Sequence, residues 1–326
     1  MHRRVVRRLV AITIGAAVAA SLAQPGVASA NGEDDRAGHP SRGDVAASVR
    51  CSGRGRRGTG PVLLVHGTGS NAAESWSTSF QPVLVADGFA VCTVDIPGRE
   101  VGDMQLSADW VAVAIEVVAD RFDRRVDVIG HSQGGVLPRL AIRLHPDVAE
   151  RIDDLVLMAG TQHGTAVAAP LCASGCAVAV LQQAVGSKLL TALNSPHELW
   201  GRGVSYTTVR STTDETVFPQ DTSKLAGASN IAAQDVCPGR ETSHIGLLYD
   251  TVAYAAAVDA LTHRGPARVE RLPSSLCASP TEPGMDPSAI GPAGAAAFAA
   301  VVAAPPVTVE PPVRICRERD HDRDDG

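Results

Sequence analysis

One ten-residue stretch constrains the fold of this chain more than any other. Residues 126–135 read VDVIGHSQGG, with Ser132 between Gly130 and Gly134, and the amphipathic segment Val136 to Leu144 follows. The pattern G-x-S-x-G between a strand and a helix is typical of a nucleophilic serine on a sharp turn. The glycines leave room for crowded backbone, and the start of the helix directs amides and its positive end at a developing oxyanion. A glycine-rich turn with an incidental serine is the weaker alternative.

The first thirty residues have the pattern of an export signal. Four arginines between positions 3 and 8 form a basic stretch, Leu9 to Leu22 is apolar, and Ala28-Ser29-Ala30 is a typical cleavage site. The apolar run is too short for a membrane anchor, and no cysteine follows the cleavage site to carry a lipid. We therefore expect residues 1–30 to be a signal peptide and the mature protein to be secreted.

The rest of the chain is long enough for one α/β domain with a sizeable core. Residues 31–50 are polar, so we expect a flexible segment that ends at Cys51, where the chain becomes fixed to the fold. We expect the folded domain over residues 51–316 and a disordered, charged tail over residues 317–326. The chain carries 29 basic and 35 acidic side chains, a net charge of -6 that gives no basic surface for nucleic acid. We expect a monomer without a stable membrane span.

The cysteines suit an oxidising compartment, where most should pair and an odd one is left over. The sequence has no C-x-x-C pair and no suitably placed histidine pair, which disfavours zinc binding. We therefore expect disulfides, no metal site and no cofactor. The seven cysteines are Cys51, Cys92, Cys172, Cys176, Cys237, Cys277 and Cys316.

Short apolar runs alternate with helical patterns along the chain. Pro61 to Gly69 is a buried strand that ends in a glycine-rich loop, where a second oxyanion donor is expected and Thr68 can add its hydroxyl. A plain tight turn at His66-Gly67 is the alternative. The alternation predicts a mostly parallel sheet covered by helices on both faces. Further strands are expected over residues 89–96, 155–159 and 204–210, and a helix over residues 107–122.

Residues 164–195 depart from this alternation. They are rich in alanine and glycine, and Cys172 and Cys176 lie four positions apart. The composition is consistent with a small lid or cap over the carboxyl ends of the strands. An ordinary pair of surface helices fits the same composition equally well.

An acid and a base can be matched to Ser132. The strand at 204–210 leads to Asp214 and Glu215, and active sites form at the carboxyl ends of parallel strands, so either acid is in range. His244 lies in a loop ahead of a helix expected over residues 247–261. The order Ser132, Asp214, His244 is the order of nucleophile, acid and base in α/β-hydrolases.

Other histidines compete with His244 for the role of base. His131 adjoins Ser132, but neighbouring side chains on a sharp turn diverge, so His131 is expected to line the pocket instead. His163 follows the strand after Ser132 and is the second candidate base, with a side chain expected to face the cleft. His263 closes a helix, where it can interact with the negative helix end, and His321 lies in the charged tail.

Several stretches resemble the lipase B family, which is named after Candida antarctica lipase B, and secreted actinobacterial lipases. The likeness runs from about Cys51 to Cys277, with the motifs in the same order. It implies the α/β-hydrolase fold, with a mostly parallel sheet. The stretches are residues 61–69 (PVLLVHGTG), 132–135 (SQGG), 213–220 (TDETVFPQ) and 233–237 (AQDVC).

The resemblance also implies the roles of individual residues. It makes Ser132, Asp214 and His244 a catalytic triad. It gives the oxyanion hole the amide and hydroxyl of Thr68 and the amide of Gln133.

The resemblance further implies that Cys51 pairs with Cys92 and Cys237 with Cys277. This leaves Cys172 and Cys176 as a local pair and Cys316 as the odd cysteine. The alanine-rich residues 293–303 are implied to form a helix at the mouth of the pocket.

Two positions depart from the family pattern. His131 stands where the yeast enzyme has a tryptophan that lines the alcohol side of the pocket, and Thr161 replaces an aspartate near the acyl side. His131, Thr161 and His163 are therefore the candidates for residues that line the pocket. The departures leave catalysis little affected and put the substrate range in doubt.

The expected function is that of a secreted serine esterase or lipase. It would hydrolyse carboxylic esters, acylglycerols or other lipid esters, through an acyl-enzyme, in contact with its substrate at a lipid–water interface. An acyltransferase or a polyester hydrolase could use the same triad. A binding module without activity has no reason to keep the three residues in this order.

Overall fold

The computed structural model describes residues 39–56 and 58–315. The predicted signal peptide, the predicted charged tail and Cys316 lie outside these residues. Within them, seven strands form one sheet in the order β1-β3-β2-β4-β5-β6-β7. The strands are β1 (Val49–Ser52), β2 (Val62–Val65), β3 (Val91–Val94), β4 (Val126–His131), β5 (Ile152–Met158), β6 (Ser205–Arg210) and β7 (Ser229–Ala232).

Helices connect the strands and cover the sheet. The α-helices are α1 (Arg42–Ser48), α2 (Ala72–Trp76), α3 (Phe80–Ala86), α4 (Met104–Phe122), α5 (Leu137–Leu144), α6 (Ala168–Leu171), α7 (Val178–Gln182), α8 (Lys188–Leu193), α9 (Ala233–Val236), α10 (Thr251–Thr262) and α11 (Ile290–Ala303). Short 3₁₀ helices occur at Pro97–Glu100, Ser132–Gly135, Pro146–Arg151, Gln220–Ser223, Ile245–Leu248, Val269–Arg271, Ser274–Ala278 and Pro287–Ala289.

The sheet is mostly parallel, as predicted. β1 pairs with β3 in the antiparallel direction, and each of the other neighbouring pairs is parallel. Alternate residues of β2 face opposite ways: Leu63 and Val65 pack with α4 and α5, whereas Val62 and Leu64 pack with α3 and α10. Parallel strands buried on both faces have continuous apolar sequences, which is why this strand could be found from the sequence.

Two details around the helices differ from the predictions. The chain after Ser132 first forms the 3₁₀ helix Ser132–Gly135, and α5 begins at Leu137. Pro138 therefore lies at the second position of α5, in the first turn, where a backbone N–H would have no acceptor within the helix. The helix expected over residues 247–261 begins at Thr251, where the Asp250 side chain accepts the N–H groups of Val252 and Ala253.

The expectation of a flexible segment over residues 31–50 is wrong for residues 42–50. Ser41 caps α1 by accepting the N–H of Asp44, and Val45 and Val49 are buried. These residues add helix α1 and the edge strand β1 to the fold, so the ordered domain begins before Cys51. A seven-residue helix is too short to give a periodic apolar pattern, and polar composition outweighed two valines in the prediction.

Three disulfides are present among residues 39–56 and 58–315, and they join the pairs that the resemblance implies. Cys51 and Cys92 link the paired strands β1 and β3, and Cys237 is joined to Cys277. The chain-entropy estimate for loops of these lengths, 41 and 40 residues, is about 4 kcal/mol each. Cys172 and Cys176 form the local pair.

Helices α6 to α8 occupy the segment that was expected to form a lid or a surface helix pair. Ala168, Ala177 and Val180 form a small apolar cluster with Val301 of α11. These helices therefore have apolar contacts of their own outside the sheet, and a lid role for the segment remains a prediction. None of the helices in the described part of the chain is long and apolar enough to cross a membrane.

A buried carboxyl on β5 makes stability depend on pH. Burial raises the pKa of Asp154 to about 7, and the neighbouring Asp153 carboxylate acts in the same direction. An unfolded aspartate has a pKa of ~3.9. Between this pH and about 7, Asp154 is therefore protonated in the folded chain and ionised in the unfolded chain. Stability contributed by the neutral carboxyl is therefore lost as pH rises from about 4 to about 7.

We expect Asp154→Asn to raise the melting temperature at pH 8 by about 2–4 °C, the shift for roughly 1 kcal/mol in a domain of this size. The gain should shrink towards zero near pH 4, where Asp154 is neutral in both states. Differential scanning calorimetry between pH 4 and pH 8 measures this gain in melting temperature. Glu150→Gln, at an exposed position, is the control. A gain that stays constant with pH would show that ionisation is not its cause.

Candidate active site

Ser132 lies on a strained turn between β4 and the helices that follow it. Its φ of 59° places it in the left-handed region, which side chains other than glycine rarely adopt. The turn is possible because nearby positions lack side chains. A Cβ on Gly130 would lie 1.9 Å from the carbonyl oxygen of Gly134, and one on Gly134 would lie 2.2 Å from that of His66. The glycines of the motif are thus required by backbone contact.

A continuous chain of hydrogen bonds ends at this serine. His244 Nε2 lies 3.0 Å from Ser132 Oγ, and His244 Nδ1 lies 2.8 Å from Asp214 Oδ2. The other oxygen of Asp214 accepts the N–H groups of Thr216 and Val217, at 2.8 Å each. Asp214 and Ser132 lie 30 and 112 residues from His244 along the chain, and the fold brings the three side chains together.

The environment of Asp214 keeps its carboxylate ionised. Burial alone would raise the pKa, but His244 and the two backbone amides outweigh it, so the pKa lies below its ordinary value. An ionised Asp214 holds the proton of His244 on Nδ1, which leaves Nε2 free to accept the proton of Ser132. The arrangement can therefore activate a serine hydroxyl as a nucleophile.

Glu215, the rival acid, has a different position. Its Oε2 accepts the backbone N–H of His244 at 3.0 Å, whereas the imidazole bonds to Asp214. Asp214 thus holds the side chain of His244, and Glu215 holds its backbone.

Thr68 and Gln133 adjoin Ser132 on two different segments. Gly67 packs so closely against Ser132 that a Cβ there would lie 2.8 Å from the serine Cβ, which puts the loop with Thr68 beside the nucleophile. Gln133 lies in the first turn of a 3₁₀ helix, where amides lack an intrahelical acceptor. Both segments adjoin the nucleophile, and the role of the two amides as oxyanion donors stays a prediction.

The hydroxyl of Thr68 belongs to a buried network that the sequence did not reveal. It donates to Gln133 Oε1 at 2.7 Å, and Gln183 Nε2 donates to Thr68 Oγ1 at 2.9 Å. The hydroxyl of Thr161 donates to Gln183 Oε1 at 2.9 Å. Gln183 thus joins the predicted oxyanion residues to Thr161. Nothing in its local sequence marks it, because its partners lie 22 to 115 residues away.

A second group missed from the sequence lies under the Gly67 loop. His66 Nε2 accepts the N–H of Ile96 at 3.1 Å, so the ring proton is on Nδ1, which faces the Gly67 carbonyl and lies 3.6 Å from Glu100 Oε1. Burial lowers the pKa of His66 to about 4 and raises the pKa of Glu100. The sequence predicted only a strand end or a tight turn at His66. In the structure its ring is fully buried and contacts the backbone of the Gly67 loop.

Known proteins match the sequence and the fold of this chain. Residues 62–313 match the model of the alpha/beta hydrolase family. The chain belongs to the alpha/beta hydrolase family. The expected fold and the resemblance to lipase B are thereby confirmed, and the relatives below bear on the reaction.

Two relatives of this hydrolase are named lipase B. Lipase B of Pseudozyma antarctica is 31% identical over 225 residues, 66% of this chain and 66% of that protein, which is just under two thirds of its length. The structure of Aspergillus fumigatus lipase B has a TM-score of 0.75 and 29% identity, and the match covers 82% of this chain and 70% of that one. Bacillus licheniformis lipase BlEst2 in mature form has a TM-score of 0.51 and 14% identity over 61% and 92%, and it shares the fold.

In this hydrolase, Ser132 and His244 open into a cavity of about 280 Å³. Thr161 and His131 line it, as predicted, and α11 lies at its mouth. Helices α6, α7 and α11 supply much of the apolar wall. Their lining residues include Ala168, Leu171, Val180, Ala293, Ala297, Phe298, Val301 and Val302.

The prediction for His163 is wrong. Its ring lies 3.1 Å from Glu198 Oε1 and 3.2 Å from the Thr222 carbonyl oxygen, and it does not line the cavity. The backbone N–H of His163 also donates to Thr222, at 3.0 Å. These contacts hold the segment and its side chain against Glu198 and the connection between β6 and β7.

The geometry predicts which serine is reactive. We expect an alkyl phosphonate ester to label Ser132 covalently, because it alone among the cavity serines lies beside an imidazole that can take its proton. Peptide mapping by mass spectrometry locates the label. Ser75→Ala removes another cavity hydroxyl and should label normally, whereas Ser132→Ala should not react. A label on Ser70 or Ser75 would overturn the assignment.

Proposed function

We propose that this protein is a secreted serine hydrolase that cleaves carboxylic esters, with acylglycerols and other lipid esters as substrates. The observation that carries the proposal is the hydrogen-bond chain from Asp214 through His244 to Ser132, at the base of a largely apolar cavity. The similarity to proteins named lipase B supports this reaction class. The predicted signal peptide and the three disulfides support secretion.

In the proposed reaction, His244 Nε2 takes the proton of Ser132 as the serine oxygen attacks the ester carbonyl carbon. Asp214 holds the imidazole in the required tautomer and stabilises the imidazolium. The carbonyl oxygen becomes negative and accepts hydrogen bonds from the amides of Thr68 and Gln133. The Thr68 hydroxyl adds a third once it turns away from the Gln133 side chain. Loss of one such donor typically costs about 3 kcal/mol.

The intermediate then collapses with cleavage of the ester C–O bond. His244 gives its proton to the leaving alcohol, and the acyl group stays on Ser132. Water enters, loses a proton to His244 and attacks the acyl-enzyme, so the carboxylic acid leaves and Ser132 regains its proton. The residues of the chain supply each of these proton transfers.

The mouth of the cavity supports substrates at a lipid–water interface. Leu171, Phe298 and Val302 line the cavity and expose 48%, 64% and 66% of their surface. Large apolar side chains exposed together around an opening favour contact with an apolar surface. We therefore propose that the protein acts on lipid esters presented at such an interface.

A panel of p-nitrophenyl esters of increasing acyl length, assayed below and above their solubility limits, tests the function. We expect hydrolysis by the wild type, with rates that rise above the solubility limit, and a loss of at least about 10⁴-fold in Ser132→Ala. No hydrolysis of any ester, or activity retained in Ser132→Ala, would refute the proposal. Added alcohol that captures the acyl group in preference to water would indicate an acyltransferase, and release of products from a polyester film would indicate a polyester hydrolase.

The two neighbouring acids should differ sharply in their effect on turnover. Asp214→Asn keeps the shape but favours the wrong imidazole tautomer, a change worth about 10⁴ in a serine protease, so we expect kcat to fall at least about 10³-fold. Steady-state kinetics at equal folded concentration, checked by circular dichroism, measures the loss.

Glu215→Gln is the matched control. Its amide oxygen can still accept the His244 N–H, so we expect kcat to stay within roughly tenfold of the wild type. If Glu215→Gln were the more damaging change, Glu215 and not Asp214 would be the acid of the triad.

A further inference from the structure

A short disulfide lies next to the cavity residue Leu171. Cys172 ends α6 and Cys176 precedes α7, and the two cysteines are four positions apart in the chain. The other two disulfides span 41 and 40 positions. Because the entropy that a disulfide removes from the unfolded chain grows with loop length, the short one restrains the unfolded chain least. Its distinctive effect is therefore local, since it fixes the turn that leads from α6 into α7.

The turn inside this disulfide is bonded to the chain that follows α11. The Cys176 N–H donates to the Val307 carbonyl at 3.1 Å, and the Val307 N–H donates to the Cys176 carbonyl at 2.8 Å, which makes an antiparallel bridge. Gly175 has a φ of 101°, and a Cβ on it would lie 3.4 Å from the Val307 carbonyl oxygen. The two segments are thus in close contact. We call residues 172–176 and 306–308 together the mouth clasp.

The mouth clasp joins two walls of the cavity that are far apart in the chain. Leu171 of α6 and Val180 of α7 line one wall, and Phe298 and Val301 of α11 line the other. Helices α6 and α7 have only four and five residues, which is too short for a helix that is stable by itself. Their position therefore depends on contacts with other parts of the chain. The clasp adds a covalent bond and two hydrogen bonds to the apolar contacts around Val301.

The side chains of these walls suit the acyl chain of an ester. Ala168, Val180 and Val302 are apolar and line the cavity, and the reacting groups Ser132 and His244 lie at its base. An acyl chain has no hydrogen-bonding groups beyond the ester itself, so an apolar site suits it. Packed apolar groups leave few voids, and one methylene in an apolar pocket changes kcat/KM by about 10–200-fold. The distance between the two walls therefore limits the width of the acyl chain.

We propose that the mouth clasp determines specificity for the acyl part of the ester, because it holds α6 and α7 at a fixed distance from α11. The preferred substrates are then esters of slender, straight-chain acids, over esters of acids that carry a ring or branches in the chain. This inference rests on the proposed ester hydrolysis and adds the shape of the acyl chain to it.

A pair of esters isolates the width of the acyl chain. p-Nitrophenyl nonanoate and p-nitrophenyl 3-cyclohexylpropanoate have the same leaving group and equal numbers of carbon atoms, and the second has a ring in place of a flexible chain. Release of p-nitrophenol is followed below the solubility limit of both. We expect wild-type kcat/KM to favour the nonanoate ester by about tenfold or more.

The other outcomes with the wild type separate this proposal from the proposed function. Equal hydrolysis of the two esters would overturn the role of the clasp while leaving ester hydrolysis standing. Hydrolysis of neither would overturn it too, and the short esters of the panel above would then show whether ester hydrolysis itself fails.

Variants of the mouth clasp test its role. Cys172→Ala combined with Cys176→Ala opens the disulfide, and Val307→Pro removes the N–H that the Cys176 carbonyl accepts. With either part lost the walls can separate, so we expect the preference for the nonanoate ester to fall by at least about threefold. A loss of folded protein lowers both rates alike, so the ratio of the two kcat/KM values is the readout. If the cysteine variant does not fold, Val307→Pro carries the test.

Glu310→Ala is the matched control. Glu310 lies in the same C-terminal segment and accepts the N–H groups of Lys188 and Leu189 at the start of α8, a helix that does not line the cavity. This change loosens the segment away from the clasp, and the preference should stay as in the wild type. A preference that survives in either clasp variant, or one that falls equally in Glu310→Ala, would overturn the proposal.

Discussion

The structure around the candidate site depends on how closely three backbone segments approach one another beneath Ser132. Gly130, Gly134 and Gly67 each lie where a Cβ would meet another residue at 1.9 to 2.8 Å. A side chain at any of them would force β4, the turn after it or the loop after β2 to move. Because Thr68 and Gln133 come from the two segments that meet here, this contact also sets the spacing of the two amides relative to Ser132. The glycines therefore position these two amides as much as they position the serine.

His244 is held in three independent ways. Asp214 bonds to its Nδ1, Glu215 accepts its backbone N–H, and the ring of His131 donates to its backbone carbonyl. Each contact uses a different atom, so the imidazole is restrained in rotation and its loop is restrained in position. A base held so firmly needs little rearrangement when it takes a proton, which is the physical advantage of preorganisation.

A sequence predicts the features of a site that depend on local patterns. It does not predict those that depend on contacts between residues far apart in the chain. The position of Ser132 was predictable because a sharp turn after a parallel strand needs glycines at fixed spacing. The position of Asp214 was predictable because polar residues that follow a strand lie at the edge of the sheet where sites form. Gln183 and Glu100 were not predictable, since each acts through partners that only the fold brings near. The position of the His163 ring was missed for the same reason, because its partners, Glu198 and the Thr222 carbonyl, are brought near only by the fold.

The charges around His244 explain how two histidines side by side can have different uses. Asp214 stays ionised, because His244 and two amides outweigh the effect of burial and lower its pKa. His131 lies on the other side of that ring, where burial and the neighbouring His244 both oppose a positive charge. A proton taken from Ser132 is therefore kept on His244 and cannot be shared with His131. In the proposed cycle, proton transfer is thus confined to one of the two neighbouring histidines.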